Sequence, residues 1–206
     1  MGREKLSSAS LVTAAMAMID AEGEKNFSMR KLAATLNVDP MAIYHHHANK
    51  GALIHAVMEA LMEAFETPTP TGDWREDLSA LCTALRTLAN RHPGSFCIYE
   101  TYEHWIAAEY RMREAFYSAL LNSGFSRRAS VQATRLLLAY SEAFAVDEIS
   151  GWLDPEDKSI LEESLVDGGY PTMTHLLDEI VTPDMDADFA FGLNVLLRGL
   201  EAELAG

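Results

Sequence analysis

Residues 28–53 read SMRKLAATLNVDPMAIYHHHANKGAL, and their punctuation constrains the fold more than any other stretch of the chain. Ser28 is a good helix N-cap, and Leu32, Ala33 and Leu36 follow at the spacing of one buried helical face. Asn37 tolerates the left-handed conformation that closes a helix. Pro40 suits the first turn of the next one, because its missing N–H has no partner there anyway. Asn49 then offers another N-cap, ahead of Leu53, Val57, Leu61 and Phe65. The spacing predicts a short helix from Ser28, a very short one over Pro40–His46, and a longer one ending at about Glu66. An amphipathic helix over Ser8–Glu22 precedes them, closed by Gly23 and burying Leu11, Ala15, Met18 and Ile19. Two short helices joined by a tight turn and braced on both sides make a helix-turn-helix.

TPTPTGD, residues 67–73, is the chain's one Pro/Thr-rich interruption and the natural joint between two modules, 1–66 and 67–206. Beyond it the pattern stays helical. One helix is expected over Trp74–Arg91, stopped by His92-Pro93-Gly94, and a segment from Phe96 to Asn122 that breaks once. Another is expected over Ser126–Ile149. Residues 150–169 are so acidic that they read as a solvated connection with about one helical turn. Two closing helices are expected over Pro171–Ile180 and Asp184–Leu204, the last with an apolar stripe of Phe189, Leu193, Leu196, Leu197 and Leu200. With only seven prolines and twelve glycines, and no alternating β-branched runs, the expected class is all-α.

A net charge of −15 argues by itself against nucleic acid, since phosphate contacts need Lys and Arg. The acidity is uneven, however: residues 1–66 carry −2 and residues 67–206 carry −13. A small binding face in the first module is therefore permitted. Cys82 and Cys97 have no CxxC spacing and read as reduced thiols of a soluble, cytoplasmic protein. The opening MGREKLSSASLVTAAMAM has a basic end and an apolar run, but Asp20 and Glu22 arrive too soon for a secretory signal. No stretch has the length of a membrane span, and no membrane partner is expected.

His45, His46 and His47 raise three readings. Adjacent helical positions diverge by about 100°, so three neighbours cannot converge on one metal ion. No metal site or cofactor is expected. A structural role suits Ile43 better than a run of histidines, and solvated surface histidine is the plain alternative. A DNA-reading surface accounts for more of the stretch. Met41 and Ala42 can touch thymine methyls, and the imidazoles of His45 and His46 can bond base edges. Arg30 can reach a guanine or a phosphate, and Lys50 lies in a helix's first turn, where an anion is favoured. The hydroxyls of Ser28 and Tyr44 can bond phosphate oxygens without adding charge. The candidate DNA-binding set is Ser28, Met29, Arg30, Pro40, Met41, Ala42, Tyr44, His45, His46 and Lys50. So few cations per subunit make a dimer almost necessary.

SMRKLAATLNVDPMAIYHHHANKGALI resembles the N-terminal helix-turn-helix of the TetR family of bacterial transcriptional regulators: a Ser/Thr-rich helix start, R-x-L-A, a short helix ending in Tyr and His, and N-K. The late FAFGLNVLLRGLEAEL is similar to the closing helix of tetracycline-repressor-like C-terminal domains. The resemblance implies an all-helical homodimer on a palindromic double-stranded operator, with DNA contacts at Ser28, Arg30, Pro40, Met41, Ala42, Tyr44, His46 and Lys50. It also implies a C-terminal domain that binds a small effector. The helix at 126–149 and the last helix would pair across the two-fold axis. The chain departs from the pattern at Asn37, where a glycine is usual, and at Gly51, where a charged residue is common.

Between Phe96 and Tyr117 stand seven aromatic residues, among them Tyr110, in a chain that is 9% aromatic. Each alone reads as core. As a set, with polar tips that need partners, they read as the wall of an effector pocket. Phe96, Tyr99, Tyr102, His104, Trp105, Phe116 and Tyr117 are the candidates, with Tyr140 and Phe144 closing the space and His104, Arg135 and Glu142 as polar partners. The expected function is a ligand-responsive repressor released from its operator by a small molecule. An activator or a ligand-independent regulator uses the same residues. A helical enzyme or carrier is the reading of another class, but the chain has no Gly-rich phosphate loop, nucleophile elbow or HExxH, and no catalytic residue is assigned.

Overall fold

The computed structural model describes residues 6–101, 106–151 and 158–204, and all of its regular structure is helical. Helix α1 spans Ser8–Glu22, started by a capping box between Ser7 and Ser10 and closed at Gly23, whose φ of 77° suits glycine. A 3-10 turn over Glu24–Asn26 leads to α2, Met29–Leu36, capped by the Ser28 hydroxyl. Asn37 takes the left-handed conformation (φ 51°, ψ 48°), and its N–H and that of Val38 close the helix on Ala34 and Ala33. Asp39 caps α3, Pro40–Tyr44, through the Met41 N–H at 2.7 Å. This helix ends two residues before the expected His46, because the N–H groups of His46 and His47 both turn back to the Ile43 carbonyl. Asn49 caps α4, Lys50–Glu63, which also stops short of Glu66, as Phe65 tucks into the core.

No helix crosses the joint. Instead the Asp77 carboxylate accepts from Thr71 N (2.6 Å), Thr71 Oγ1 (2.9 Å) and Gly72 N (3.4 Å), strapping the connection to α5, Trp74–Arg91. Pro93 then starts α6, Pro93–Glu100, at once. After it come α7, Glu109–Asn122, and α8, Arg127–Ser150, capped by Ser126. The acidic stretch read as a solvated connection instead contains a ten-residue helix, α9, Lys158–Asp167. Its Leu165 packs with Leu177 and Val181 in a small satellite cluster. The expected 171–180 helix is split into α10, Pro171–His175, and α11, Leu177–Val181, with Leu176 between them. Helix α12, Met185–Leu204, buries Phe189, Leu193, Leu197 and Leu200, while Leu196 is only partly buried.

One continuous apolar core runs from Leu11 through α4, α5 and α8 to Leu200. Gly192 lets α12 lie against α8: a Cβ there would stand 2.3 Å from the Tyr140 hydroxyl. Two carboxylates of the first module reach across to the second. Asp20, near the end of α1, accepts from Ser95 N at 2.8 Å and lies 2.9 Å from His92 Nδ1. Glu59 of α4 accepts from Ala107 N (3.0 Å) and Ala108 N (3.2 Å). Neither α6 nor α7 has a side-chain cap of its own. Asp20 therefore satisfies an N–H group in the first turn of α6 from outside, and Glu59 two N–H groups immediately before α7.

Candidate functional site

The N-terminal face is defined by what α3 buries. Ile43 is fully buried, and just beyond it His47 is only 7% exposed, with Nε2 3.1 Å from the Ser8 hydroxyl. Burial holds the His47 pKa below the usual imidazole value; the Ser8 contact opposes this and neighbouring His46 adds to it. The histidine run is thus divided, with His47 anchoring α3 to the start of α1. Met29, the first residue of α2, is 6% exposed and packs in the core. It is a correction to the candidate DNA-facing set, since its side chain is turned away from solvent.

The opposite side of α3 is open. Met41 is 63% exposed and Tyr44 43%, Pro40, His45 and His46 are exposed, and Ala42 is half-buried. Arg30, in the first turn of α2, is exposed and has no ion-pair partner among the described residues. The Ser28 hydroxyl accepts from Lys31 N at 3.2 Å and keeps its own proton to donate. Lys50, the first residue of α4, forms an ion pair with Glu24 and lies 5.7 Å from the centre of the Phe27 ring. Lys31 stands 3.6 Å from Glu22. At Gly51 a side chain would crowd the capping Asn49 Oδ1 at 3.2 Å, which accounts locally for glycine there. This is a short wedge of apolar and hydrogen-bonding groups, flanked by cations at two helix starts. Its chemistry suits base edges in a major groove, with phosphates on either side.

The aromatic segment is distributed differently from the expected single wall. Tyr102, His104 and Trp105 lie outside the described residues. Phe96 and Phe116 are fully buried and close-packed, and Tyr117 is half-buried. The Phe96 and Tyr99 rings stand 5.8 Å apart. Tyr140 and Phe144 join Phe189 of α12, at 5.5 and 5.2 Å, with the Arg86 guanidinium over Phe144 and Phe189. The Tyr140 hydroxyl donates to the Phe189 carbonyl at 2.8 Å, and Arg86 is bonded to Glu148. These described contacts make Tyr140 and Phe144 part of the seam between α8 and α12.

Tyr99 instead faces a partly buried polar group that sequence reasoning largely missed, Glu109, Arg113 and the expected Glu142, with exposed Glu100 at its edge. Arg135 is exposed. Arg113 pairs with Glu109, which is itself buried. Burial pushes the Glu142 carboxyl up to about 7; Glu100 and Glu109 reinforce this and Arg113 opposes it. Burial, then Glu109, likewise raises Glu100. The Glu109–Arg113 spacing of four was a readable signal of a helical ion pair. The convergence of α6, α7 and α8 on it was not. Buried Glu109 and half-buried Glu142 thus share one guanidinium, Arg113.

Two family models match the chain. "Bacterial regulatory proteins, tetR family" covers residues 11–57, and "Tetracyclin repressor-like, C-terminal domain" covers residues 67–204. The transcriptional repressor DrrR1 of Streptomyces coeruleorubidus is 28% identical over 209 residues, spanning 95% of this chain and 77% of that protein. The crystal structure of ActR from Streptomyces coelicolor, a TetR family protein in complex with (S)-DNPA, is 26% identical with a TM-score of 0.78, covering 98% of this chain and 99% of that one. BioQ with its natural double-stranded DNA operator is 26% identical with a TM-score of 0.70, covering 96% and 99%.

Proposed function

Since the chain belongs to the tetR family of bacterial regulatory proteins, we propose that it is a homodimeric repressor that a small effector releases from a palindromic DNA operator. The observation that carries this reading is the divided surface of α3. Ile43 and His47 fix the helix from below, while Met41, Tyr44, His45 and His46 stand free above. Arg30 and Lys50 flank that wedge as phosphate or guanine contacts, and Ser28 adds an uncharged donor. The solved relatives bind what this reading requires of the fold: BioQ a DNA operator, ActR a small molecule. DrrR1 supports the negative sign of regulation.

Dimerisation follows from apolar surface that one chain does not cover. Leu136 on α8 and Phe191 and Val195 on α12 are exposed, Phe191 by 74%. Pairing these helices across a two-fold axis would bury them and set two wedges about 34–36 Å apart, one helical turn of DNA. The effector would act by population shift, preferring the arrangement in which the wedges no longer match adjacent grooves. Asp20 and Glu59 supply the physical connection, since movement of α6 or α7 pulls on α1 or α4 through them.

The test is a salt titration on a duplex that the protein itself selects from a randomised pool. On that selected duplex Lys50→Ala is expected to weaken binding and to reduce the salt slope by about 0.9 for each phosphate no longer neutralised. Met41→Ala and His46→Ala are expected to change which bases are selected. Failure of the unaltered protein to enrich any sequence from the pool would defeat the reading.

A further inference from the structure

Lys50 already has an anion within its own chain. The Glu24 carboxylate, from the 3-10 turn after α1, pairs with its ammonium. Phe27 lies beneath. The next carboxylate back, Glu22, stands 3.6 Å from Lys31. Both carboxylates rise from one corner of the module and approach the two lysines beside the exposed wedge. Each pair is about half exposed, so neither is locked in the core and both are open to exchange.

We infer that Glu24 is an internal stand-in for a DNA phosphate, an autoinhibitory contact that keeps Lys50 from contributing to binding on random sequence. The inference rests on α3 and its flanks being the DNA-reading face. A duplex phosphate can take Lys50 only by displacing Glu24, which must then be hydrated beside a like-charged backbone. On the correct operator, base contacts from α3 seat the module firmly and drive the exchange. On a random duplex those contacts are missing, so Lys50 stays with Glu24. The corner thereby subtracts a phosphate contact from non-specific complexes alone. Sequence-independent binding is set by how many phosphates are neutralised, so this weakens binding to random duplex and lowers its salt dependence, while the operator complex bears the cost of breaking the pair.

Glu24→Gln removes the charge and keeps the size. On a random-sequence duplex about two turns long, the full-length variant is expected to bind roughly threefold to tenfold more tightly at low salt, with a slope steeper by about 0.9 for each protomer engaged. On the duplex selected by the unaltered protein, affinity is expected to rise while the slope stays the same, since Lys50 already reaches phosphate there. In a Lys50→Gln background Glu24→Gln is expected to leave the random-duplex slope unchanged. Circular dichroism and denaturation of each variant separate misfolding from a change in binding. An unchanged random-duplex slope for Glu24→Gln, or an equal steepening without Lys50, overturns the inference even where the unaltered protein binds its selected duplex. No selected duplex at all would instead overturn the DNA-reading assignment beneath it.

Discussion

Single positions decide how closely the helices approach and how the interior responds to acid. At Gly94 an added Cβ would stand 2.1 Å from the Ile19 carbonyl oxygen, and at Gly192 it would stand 2.3 Å from the Tyr140 hydroxyl. Backbone cannot step aside as a side chain can. Gly94→Ala is therefore expected to destabilise the fold by about 2–3 kcal/mol and Gly192→Ala by about 1–2 kcal/mol, in chemical denaturation. Tyr140→Ala should recover part of the Gly192→Ala loss by removing the obstructing ring. Glu142 gives a signed dependence on pH. Its folded-state pKa, about 7, lies above the ordinary carboxylate value, so the folded chain holds a proton that the unfolded chain releases. Stability from this group is full below the ordinary carboxylate range and is lost as pH rises toward about 7. The loss is on the order of 2–3 kcal/mol. Glu100, Glu109, Arg113 and Tyr99 face the group, and Glu148 titrates with the opposite sign because Arg86 holds its pKa down. The measurement is therefore the difference in denaturation midpoint between the unaltered chain and Glu142→Gln, followed from pH 5 to 8, which should change in the stated direction.

Helix ends are where sequence and structure can be compared most directly. The caps Ser28 and Asn49, the left-handed Asn37 and the bounds of α1 and α5 were legible, because each depends on a residue and its near neighbours, whereas the Asp39 cap appears only in the structure. Helix α9 was not: its buried Leu165 and half-buried Leu161 are hidden among acidic side chains and acquire meaning only when Leu177 and Val181 arrive from farther along. Likewise the burial of His47 rests on its meeting Ser8, a contact spanning 39 positions. The exposure of most of the candidate DNA-binding residues was readable, whereas the Lys50–Glu24 pair and the turning-in of Met29 depend on how α1, α2 and α4 meet. The same long reach makes Asp20 and Glu59 caps for helices to which they do not belong. Replacing either with Ala is expected to cost about 1 kcal/mol or somewhat more. Amide hydrogen exchange should quicken at Ser95 for Asp20→Ala and at Ala107 and Ala108 for Glu59→Ala. Unchanged exchange at those amides would mean that the caps contribute nothing.

On the scale of the whole molecule, a strongly acidic body carries a nearly neutral reading head, so its own charge holds most of its surface off DNA. In the proposed dimer, binding then depends on two heads acting together. Phe191→Asp, which places a charge where two copies of α12 are proposed to meet, is expected to give a folded monomer in sedimentation velocity and at least a hundredfold loss of operator affinity. A folded Phe191→Asp dimer would place the contact elsewhere. The bonds of Thr71 and Gly72 to Asp77 have a practical consequence for anyone recombining regulators. The joint looks like a convenient splice point, but its slack is already taken up, and two carboxylates of the head finish helices of the body. A hybrid made by exchanging residues 1–66 would have an intact peptide chain and mismatched stitching, and transplanting a new reading head requires its seam with the body to be transplanted as well.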